Sequence, residues 1–515
     1  MSLANILTKW SKKSPNKLAI TDGIKSSSFS ELESQSNKMS NHLISLGVKK
    51  GSKVIVVTDK SVDFLVTIFG VMKAGATYVP IDPDISDERF TVINKEVKPS
   101  GIIGNIVWTY ESKANQFFIN YDKLETVLKD VSDDGYTNPN PMDIAYTMYT
   151  SGATGLPKGV QIMHHSLDAF FNAMKEVYLV DNESSFLNTL PYHFDGSIVD
   201  TFYPLFMGCS VVISPKVPLP DRTVKMIEKH KITHMTASVS TLKLLSQEIL
   251  SNPDKFQSVK YIMTCTEVID KELVNELIEE FNNIKIINGY GPTEATCDAI
   301  LYVISKENKI EKDNGEYPIG KPLNSVKAKL ININEQGVGE LCLAGEQLFH
   351  SYLKQPIETQ DVICIMDTTV YYKTGDLCSI NQTGDYCFEG RKADVIKLNG
   401  QRIQLNQIKN ALSSIYGVTS CEVVLSEGEN KEICAFIDSK NEALKLDAFK
   451  AIKNKLVNTV PKHMMPSIFV QVRDWPLLPS QKVNKNELIN LVQTKLKSNK
   501  NTYFSQENKQ LCQIQ

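Results

Sequence analysis

Tyr149-Thr150-Ser151-Gly152-Ala153-Thr154-Gly155-Leu156-Pro157-Lys158-Gly159-Val160 gathers three glycines, two threonines, a serine and one lysine in twelve residues. Glycine-rich backbone N–H groups, hydroxyls and one cation are what a polyphosphate chain needs around it. The P-loop of nucleotide hydrolases is excluded. That motif requires glycine directly before the lysine and Ser or Thr directly after it, and this chain has Pro157 and Gly159 there. A mobile surface loop would share the composition, so the neighbouring sequence has to decide.

Working outward, the elements alternate. Leu32, Met39, Leu43 and Leu46 recur on one helical face up to Gly47, with Ser30 and Glu33 at capping-box spacing. A β-branched run, Val54–Thr58, follows. Ser61 then opens an apolar helix through Phe64, Ile68 and Met72 to Gly75, which leads into Tyr78-Val79-Pro80. Beyond the glycine-rich stretch, Ser210–Ser214, Ile232–Ala237, Tyr261–Thr264 and Ile284–Ile287 read as strands. Between them, Thr241–Leu250 and Lys271–Phe281 read as helices. Such alternation predicts α/β layers with parallel sheets. From about Pro318 to Phe388 short alternating strands (Val338–Leu343, Asp385–Phe388) separated by Gly, Asn and Asp predict a small β subdomain.

With 515 residues the chain has room for about three domain-sized units. A net charge of −3 supplies no basic field for nucleic acid. No apolar run is long enough to span a bilayer, and Met1–Lys13 lacks the pattern of a secretory signal. Ten cysteines without C-x-x-C or zinc-like spacing read as reduced thiols, and a cytoplasmic protein is expected.

Four more stretches carry chemistry. In Asn288-Gly289-Tyr290-Gly291-Pro292-Thr293-Glu294-Ala295-Thr296, an aromatic ring between two glycines can stack on a purine, and a hydroxyl and a hard carboxylate suit phosphate and Mg2+. In Tyr372-Lys373-Thr374-Gly375-Asp376-Leu377, a carboxylate expected in a tight turn can accept from both ribose hydroxyls. Pro479-Ser480-Gln481-Lys482-Val483-Asn484-Lys485 offers a lysine that could enter a site. Pro191-Tyr192-His193-Phe194-Asp195-Gly196-Ser197-Ile198-Val199-Asp200 holds Asp195, which is either a helix cap or the partner of a buried ammonium.

In this order, with the opening stretch, these motifs resemble the adenylate-forming superfamily: acyl- and aryl-CoA synthetases, luciferases and peptide-synthetase adenylation domains. The similarity is nearest to free-standing amino-acid adenylation domains and D-alanine–carrier protein ligases. The resemblance implies a large N-terminal α/β domain (1–390) with parallel layers and a small β subdomain. It also implies a smaller mobile α+β C-terminal domain (391–515), whose polar, aperiodic end, 499–515, is expected to be a disordered tail. ATP and Mg2+ are the implied cofactors. Thr150, Ser151, Gly152, Thr154 and Lys158 would hold the β- and γ-phosphates, Gly289 and Tyr290 the adenine side, Thr293 the α-phosphate, Glu294 the metal, and Asp376 and Arg391 the ribose. Lys482 would be the mobile catalytic cation. Asp195 would pair with a substrate ammonium in a pocket completed by Gly196, Val199, Thr236, Met263, Cys265, Gly289, Cys297, Asp298 and Lys482.

The implied reaction forms an aminoacyl adenylate and pyrophosphate, then transfers the acyl group to the phosphopantetheine of a separate carrier protein. Asp298, a second pocket carboxylate, points to a small or a polar, including cationic, amino acid. Some positions depart from the family's pattern and bear on the transfer step: Ala393 at the hinge, Asn399, Gln404, Asn406, Gln407, Lys409 and Gln481. After Lys482 only 33 residues remain, too few for a carrier domain. A CoA ligase for a non-amino acid and a nucleotide-binding scaffold without turnover are the alternatives.

Overall fold

The computed structural model describes residues 2–105, 116–151, 157–265, 268–281, 283–310, 316–392, 395–398, 401–415, 417–426, 431–439, 446–457, 459–460, 464–478, 482–498 and 512–513. The chain forms two compact units. The first comprises residues 1–331, 342–374 and 380–387, and the second 332–341, 375–379 and 388–515.

The first unit is built on two large mixed sheets. One has nine strands in the order Lys321–Pro322, Ile300–Ile304, Lys285–Tyr290, Tyr261–Cys265, His234–Ser238, Ser185–Asn188, Ser210–Ile213, Leu18–Thr21, Ser26–Ser28. Its six central strands are parallel and its edges antiparallel. The other has seven, in the order Ser351–Tyr352, Pro157–Met163, Ile144–Ser151, Thr77–Ile81, Lys53–Val57, Gly101–Gly104, Phe117–Asn120. The expected strands are all present, with ends displaced by up to about three residues.

One apolar core joins both sheets through their helices. Helix Val62–Lys73 is buried at every position except Asp63, which explains a sequence that is apolar all round. Ser61 caps it by accepting from Phe64 N at 3.2 Å. Phe69 packs on Phe202 with ring centroids 5.7 Å apart, and Phe202 on Tyr78 at 6.3 Å. These contacts seat helix Ser197–Met207 against the seven-stranded sheet. That helix stops at Gly208, whose φ of 77° and closeness to Trp10 (an added Cβ would lie 2.5 Å away) exclude a side chain. One local expectation is corrected: the capping box of helix Phe29–Ser45 is Ser28 with Glu31, not Ser30 with Glu33. Ser30 already lies inside the helix, and Glu33 instead pairs with the buried Lys73.

The stretch expected as a β subdomain is mostly strands, from the short Ser351–Tyr352 to the long Thr369–Ile380, with one short helix, Pro356–Asp361; Ile363–Met366 and Thr369–Tyr372 pair as a hairpin.

In the second unit a four-stranded sheet, Val418–Leu425, Ile433–Ser439, Ile468–Gln471 and Cys512–Gln513, is covered on both faces. Ile433, Ala435 and Ile437 pack on helices Leu405–Ser413 and Leu446–Val457. The alternate residues Cys434 and Phe436 pack on Leu488 and Val492 of helix Lys485–Ser498. Two-sided burial explains the unbroken apolar run Ile433–Ile437. Within the expected frayed tail, Cys512 and Gln513 pair in parallel with Val470 and Gln471, which offer an open sheet edge; the other tail residues lie outside the described residues. Among the described residues no helix is long and apolar enough to cross a membrane.

Candidate active site

The parallel strands of the nine-stranded sheet end together. Thr236 and Met263 are register partners, as are Ser238 and Cys265, and Thr264 pairs with Asn288. With a period of two, Met263 and Cys265 share a face, and Gly289 follows Asn288 at the next strand's end. Open α/β sheets bind ligands at this carboxyl edge. Helix Ser197–Met207 begins nearby: a Cβ on Gly196 would sit 3.3 Å from Cys265 Sγ and 2.8 Å from Leu190. Val199 is fully buried one turn on. The helix's N-cap is Gly196, so Asp195 does not serve as its cap; its Oδ1 accepts from Gly196 N at 2.9 Å.

After Tyr290 the chain folds back on itself. Ala299 N donates to Tyr290 O at 2.8 Å, and Gly291 is required sterically, because a Cβ there would stand 2.0 Å from Cys297 O. Thr296 (φ 56°) and Cys297 (φ 74°) both adopt left-handed backbone, costly for residues bearing a Cβ. Buried Gln347 holds them there: its Nε2 donates to Ala295 O at 3.1 Å and Asp298 O at 2.9 Å, and Thr296 Oγ1 donates to Gln347 O. The turn thereby carries Glu294 and Asp298 as two buried carboxyl groups.

Glu294 lies in a 3-10 turn, Thr293–Ala295, beside half-buried Thr293. Tyr352 Oη donates to its Oε1 at 2.5 Å. Burial pushes its acidity range upward, Tyr352 and Tyr372 hydroxyls pull it back, and the charge of Asp195 raises it again. Tyr352 also links this carboxyl to the opening sequence stretch. It pairs with Val160 on the hairpin Ile144–Ser151/Pro157–Met163, Leu353 N donates to Gly159 O at 2.8 Å, and Lys158 Nζ lies 4.9 Å from the Tyr352 ring centroid. Thr150 and Lys158 are register partners across that hairpin. The stretch is thus anchored by strands on both sides. Ser151 is described by its backbone alone, and Gly152 and Thr154 lie outside the described residues.

Asp298 contrasts with Glu294. It is 1% exposed, and among the described residues its carboxyl takes one hydrogen bond, from Cys297 Sγ at 3.1 Å. A Cβ on Gly289 would fall 2.7 Å from its Oδ1 and 2.8 Å from Met263 Cε. Burial pushes its pKa up to about 7, opposed by the Cys297 contact and reinforced by Asp195. The structure therefore gathers Gly196 with Cys265, and Met263, Gly289, Cys297 and Asp298 with one another. Asp195's charge acts on Glu294, Cys297 and Asp298 alike.

In the second unit, Asp376 stands in strand Thr369–Ile380 rather than in a tight turn. The local irregularity is Gly375, with φ 73°, which the strand absorbs. Its carboxyl is nearly buried and forms an ion pair with Arg391 Nε at 2.9 Å. Lys482 is exposed in a loop closed by Leu478 N donating to Lys482 O at 2.7 Å and by the bridge Leu477–Val483; Asn484 then caps the following helix through Glu487 N at 3.3 Å.

Sequence reasoning passed over Tyr352 and Gln347, and it gave Tyr372, inside a quoted motif, no role. No local pattern marks them: their partners lie 52 and 58 residues away for Gln347–Ala295 and Tyr352–Glu294.

The sequence profile of the AMP-binding enzyme family matches residues 7–353. The chain is 29% identical over 493 residues to gramicidin S synthase 2 of Brevibacillus brevis, covering 93% of this chain and 11% of that protein. It is 28% identical over 497 residues to zwittermicin A synthase ZmaJ of Bacillus cereus, covering 92% of each. In fold it is similar to O-succinylbenzoate coenzyme A synthetase of Bacillus subtilis in complex with ATP and magnesium ion, with a TM-score of 0.81, 20% identity, and coverage of 94% of this chain and 99% of that one.

Proposed function

Because the chain belongs to the AMP-binding enzyme family, we propose that it activates an amino acid with ATP, forming an aminoacyl adenylate and pyrophosphate, and passes the aminoacyl group to a carrier protein's phosphopantetheine thiol. The observation that carries the amino-acid half is Asp195. It stands at the start of helix Ser197–Met207 without capping it, close enough to charge the pocket groups around it. A buried ammonium needs such an anion. An acid lacking an amino group has no use for an anion at that place, which disfavours the CoA-ligase alternative. The likeness to gramicidin S synthase 2 and zwittermicin A synthase ZmaJ, at 29% and 28% identity, supports a carrier as acceptor.

In the reaction, an oxygen of the substrate carboxylate forms a bond to the α-phosphorus while the bond to the pyrophosphate oxygen breaks, and pyrophosphate leaves with that electron pair. Thr150, Ser151, Gly152, Thr154 and Lys158 hold the departing phosphates, and Thr293 hydrogen-bonds the α-phosphate. Tyr290 stacks on adenine beside Gly289, while Asp376 and Arg391 hold the ribose. Glu294 fits a magnesium site. It is a buried carboxyl oriented by two tyrosine hydroxyls, and among the described residues no lysine or arginine pairs with it. One carboxylate with substrate phosphates is a common Mg2+ environment. When bound, the metal neutralises phosphate charge. Lys482 supplies a cation to the substrate carboxylate and the α-phosphate as charge develops. Replacing it, Lys482→Ala, should abolish adenylate formation while leaving ATP binding, read by calorimetry, largely intact.

Loading of a phosphopantetheinylated carrier, read by intact mass, tests the second half. A mass increase of one aminoacyl group, lost in Asp195→Ala, is expected. Transfer to free coenzyme A from acids without an amino group would refute the proposal.

A further inference from the structure

The turn Tyr290–Asp298 brings two carboxyl groups to one site, and with Asp195 there are three. Under the proposed function Glu294 takes magnesium and Asp195 the substrate's α-ammonium. Among the described residues Asp298 is left without a counter-charge. Its Oδ2 meets a thiol, a weak donor that burial keeps protonated, and its Oδ1 lies against the backbone of Gly289 and the end of Met263, where no side chain fits. Of two buried hydroxyls in the same region, Tyr146 Oη lacks a hydrogen-bond partner among the described residues, and Thr236 Oγ1 faces the Tyr178 hydroxyl. Thr236 is the register partner of Met263, and Tyr146 feels the charge of Asp195. Unpartnered buried polar groups call for an explanation, and at a substrate site a ligand can supply the missing partners. A purely aliphatic side chain would leave the Asp298 carboxyl and the Tyr146 hydroxyl without a partner, which is costly for buried polar groups.

We infer that the substrate is a diamino acid, whose α-ammonium meets Asp195 and whose side-chain ammonium meets Asp298, with Tyr146 and Thr236 hydroxyls accepting from or flanking that second cation. The inference rests on the amino-acid activation proposed above. Burial raises the Asp298 carboxyl toward about 7, so it holds a proton more readily when the pocket is empty; an arriving cation favours its ionised form. Cys297, adjacent on the left-handed turn, fixes the carboxyl's orientation.

The test is amino-acid-dependent exchange of labelled pyrophosphate into ATP, run on the whole chain. The panel pairs 2,4-diaminobutyrate, ornithine and lysine with the uncharged acids of matched length: 2-aminobutyrate, norvaline and norleucine. One diamino acid should exceed its neutral counterpart in kcat/KM by at least about 100-fold, because a site built around a buried polar group rejects an analogue lacking its partner more strongly than an apolar pocket does. Asp298→Asn, nearly isosteric, should collapse that ratio to within about threefold. Circular dichroism verifies that the variant folds. If it does not, binding of the favoured diamino acid to wild type, read as a rise in Tm absent with its neutral counterpart, decides instead. Neutral acids matching or exceeding their charged counterparts in the wild type would overturn the inference while leaving amino-acid activation standing. So would an unchanged ratio in Asp298→Asn. Exchange with no amino acid at all would instead refute the function on which it rests.

Discussion

Glu294 and Asp298 sit four residues apart on one turn, both buried and both raised in pKa chiefly by burial. Their surroundings differ. Glu294 is braced by Tyr352 and Tyr372 and lies on the side that carries Lys158 through the Tyr352 ring. Asp298 has a thiol and glycine backbone beside it. Under the proposed function the braced carboxyl belongs to chemistry common to every substrate, because a metal and phosphates need a fixed oxygen donor. On the same proposal the unbraced one belongs to recognition, where the missing partner has to come from the ligand. The same burial therefore serves two tasks, and the neighbours decide which.

Breaking the braced side should be most severe. Glu294→Gln keeps the shape and removes the charge; pyrophosphate exchange should fall by about 100-fold or more with every amino acid alike. A loss confined to some substrates would mean that Glu294 takes part in recognition, and the contrast would fail. Asp298→Asn should act the opposite way, changing the ranking of substrates by about 100-fold. Tyr352→Phe removes the brace alone. A loss of about tenfold is expected, together with a higher Mg2+ concentration for half-maximal exchange, whereas a purely structural tyrosine would lower Tm without moving the Mg2+ requirement.

The smallest effect is on stability. Asp298 holds its proton in the folded chain up to about pH 7, while unfolded it loses it near 4. Between those limits the native state binds more protons, so its contribution to stability falls as pH rises, and the full penalty stands above pH 7. Asp298→Asn should accordingly melt a few degrees above wild type at pH 8, with the gap closing toward pH 4. Asp200, likewise raised to about 7 by burial, is common to both proteins and cancels in the difference.

Much of this was legible in the chain itself. The strand–helix alternation announced the parallel sheets because their central strands are buried on both faces and read as short apolar runs, and Ser61 marked its helix through capping chemistry. The pocket positions on Tyr261–Cys265 and Lys285–Tyr290 came from the family resemblance rather than from spacing, and the structure puts them near strand ends. Three features were not legible, for a shared reason. The Ser28–Glu31 cap competed with an equally spaced Ser30–Glu33 pair, and only the distant Lys73 shows why Glu33 is otherwise engaged. Asp376 looked like a turn residue because Gly375 precedes it, yet strand pairing absorbed the glycine. Tyr352 and Gln347 act on a turn more than fifty residues away. Local spacing cannot encode contacts that the sheet order creates.

The most direct measurement is exchange of labelled pyrophosphate into ATP by the purified chain in the presence of Mg2+. Exchange that requires an amino acid, and that disappears in Asp195→Ala, is the predicted result. Exchange supported equally by carboxylic acids without an amino group, or none with any amino acid, would contradict the account.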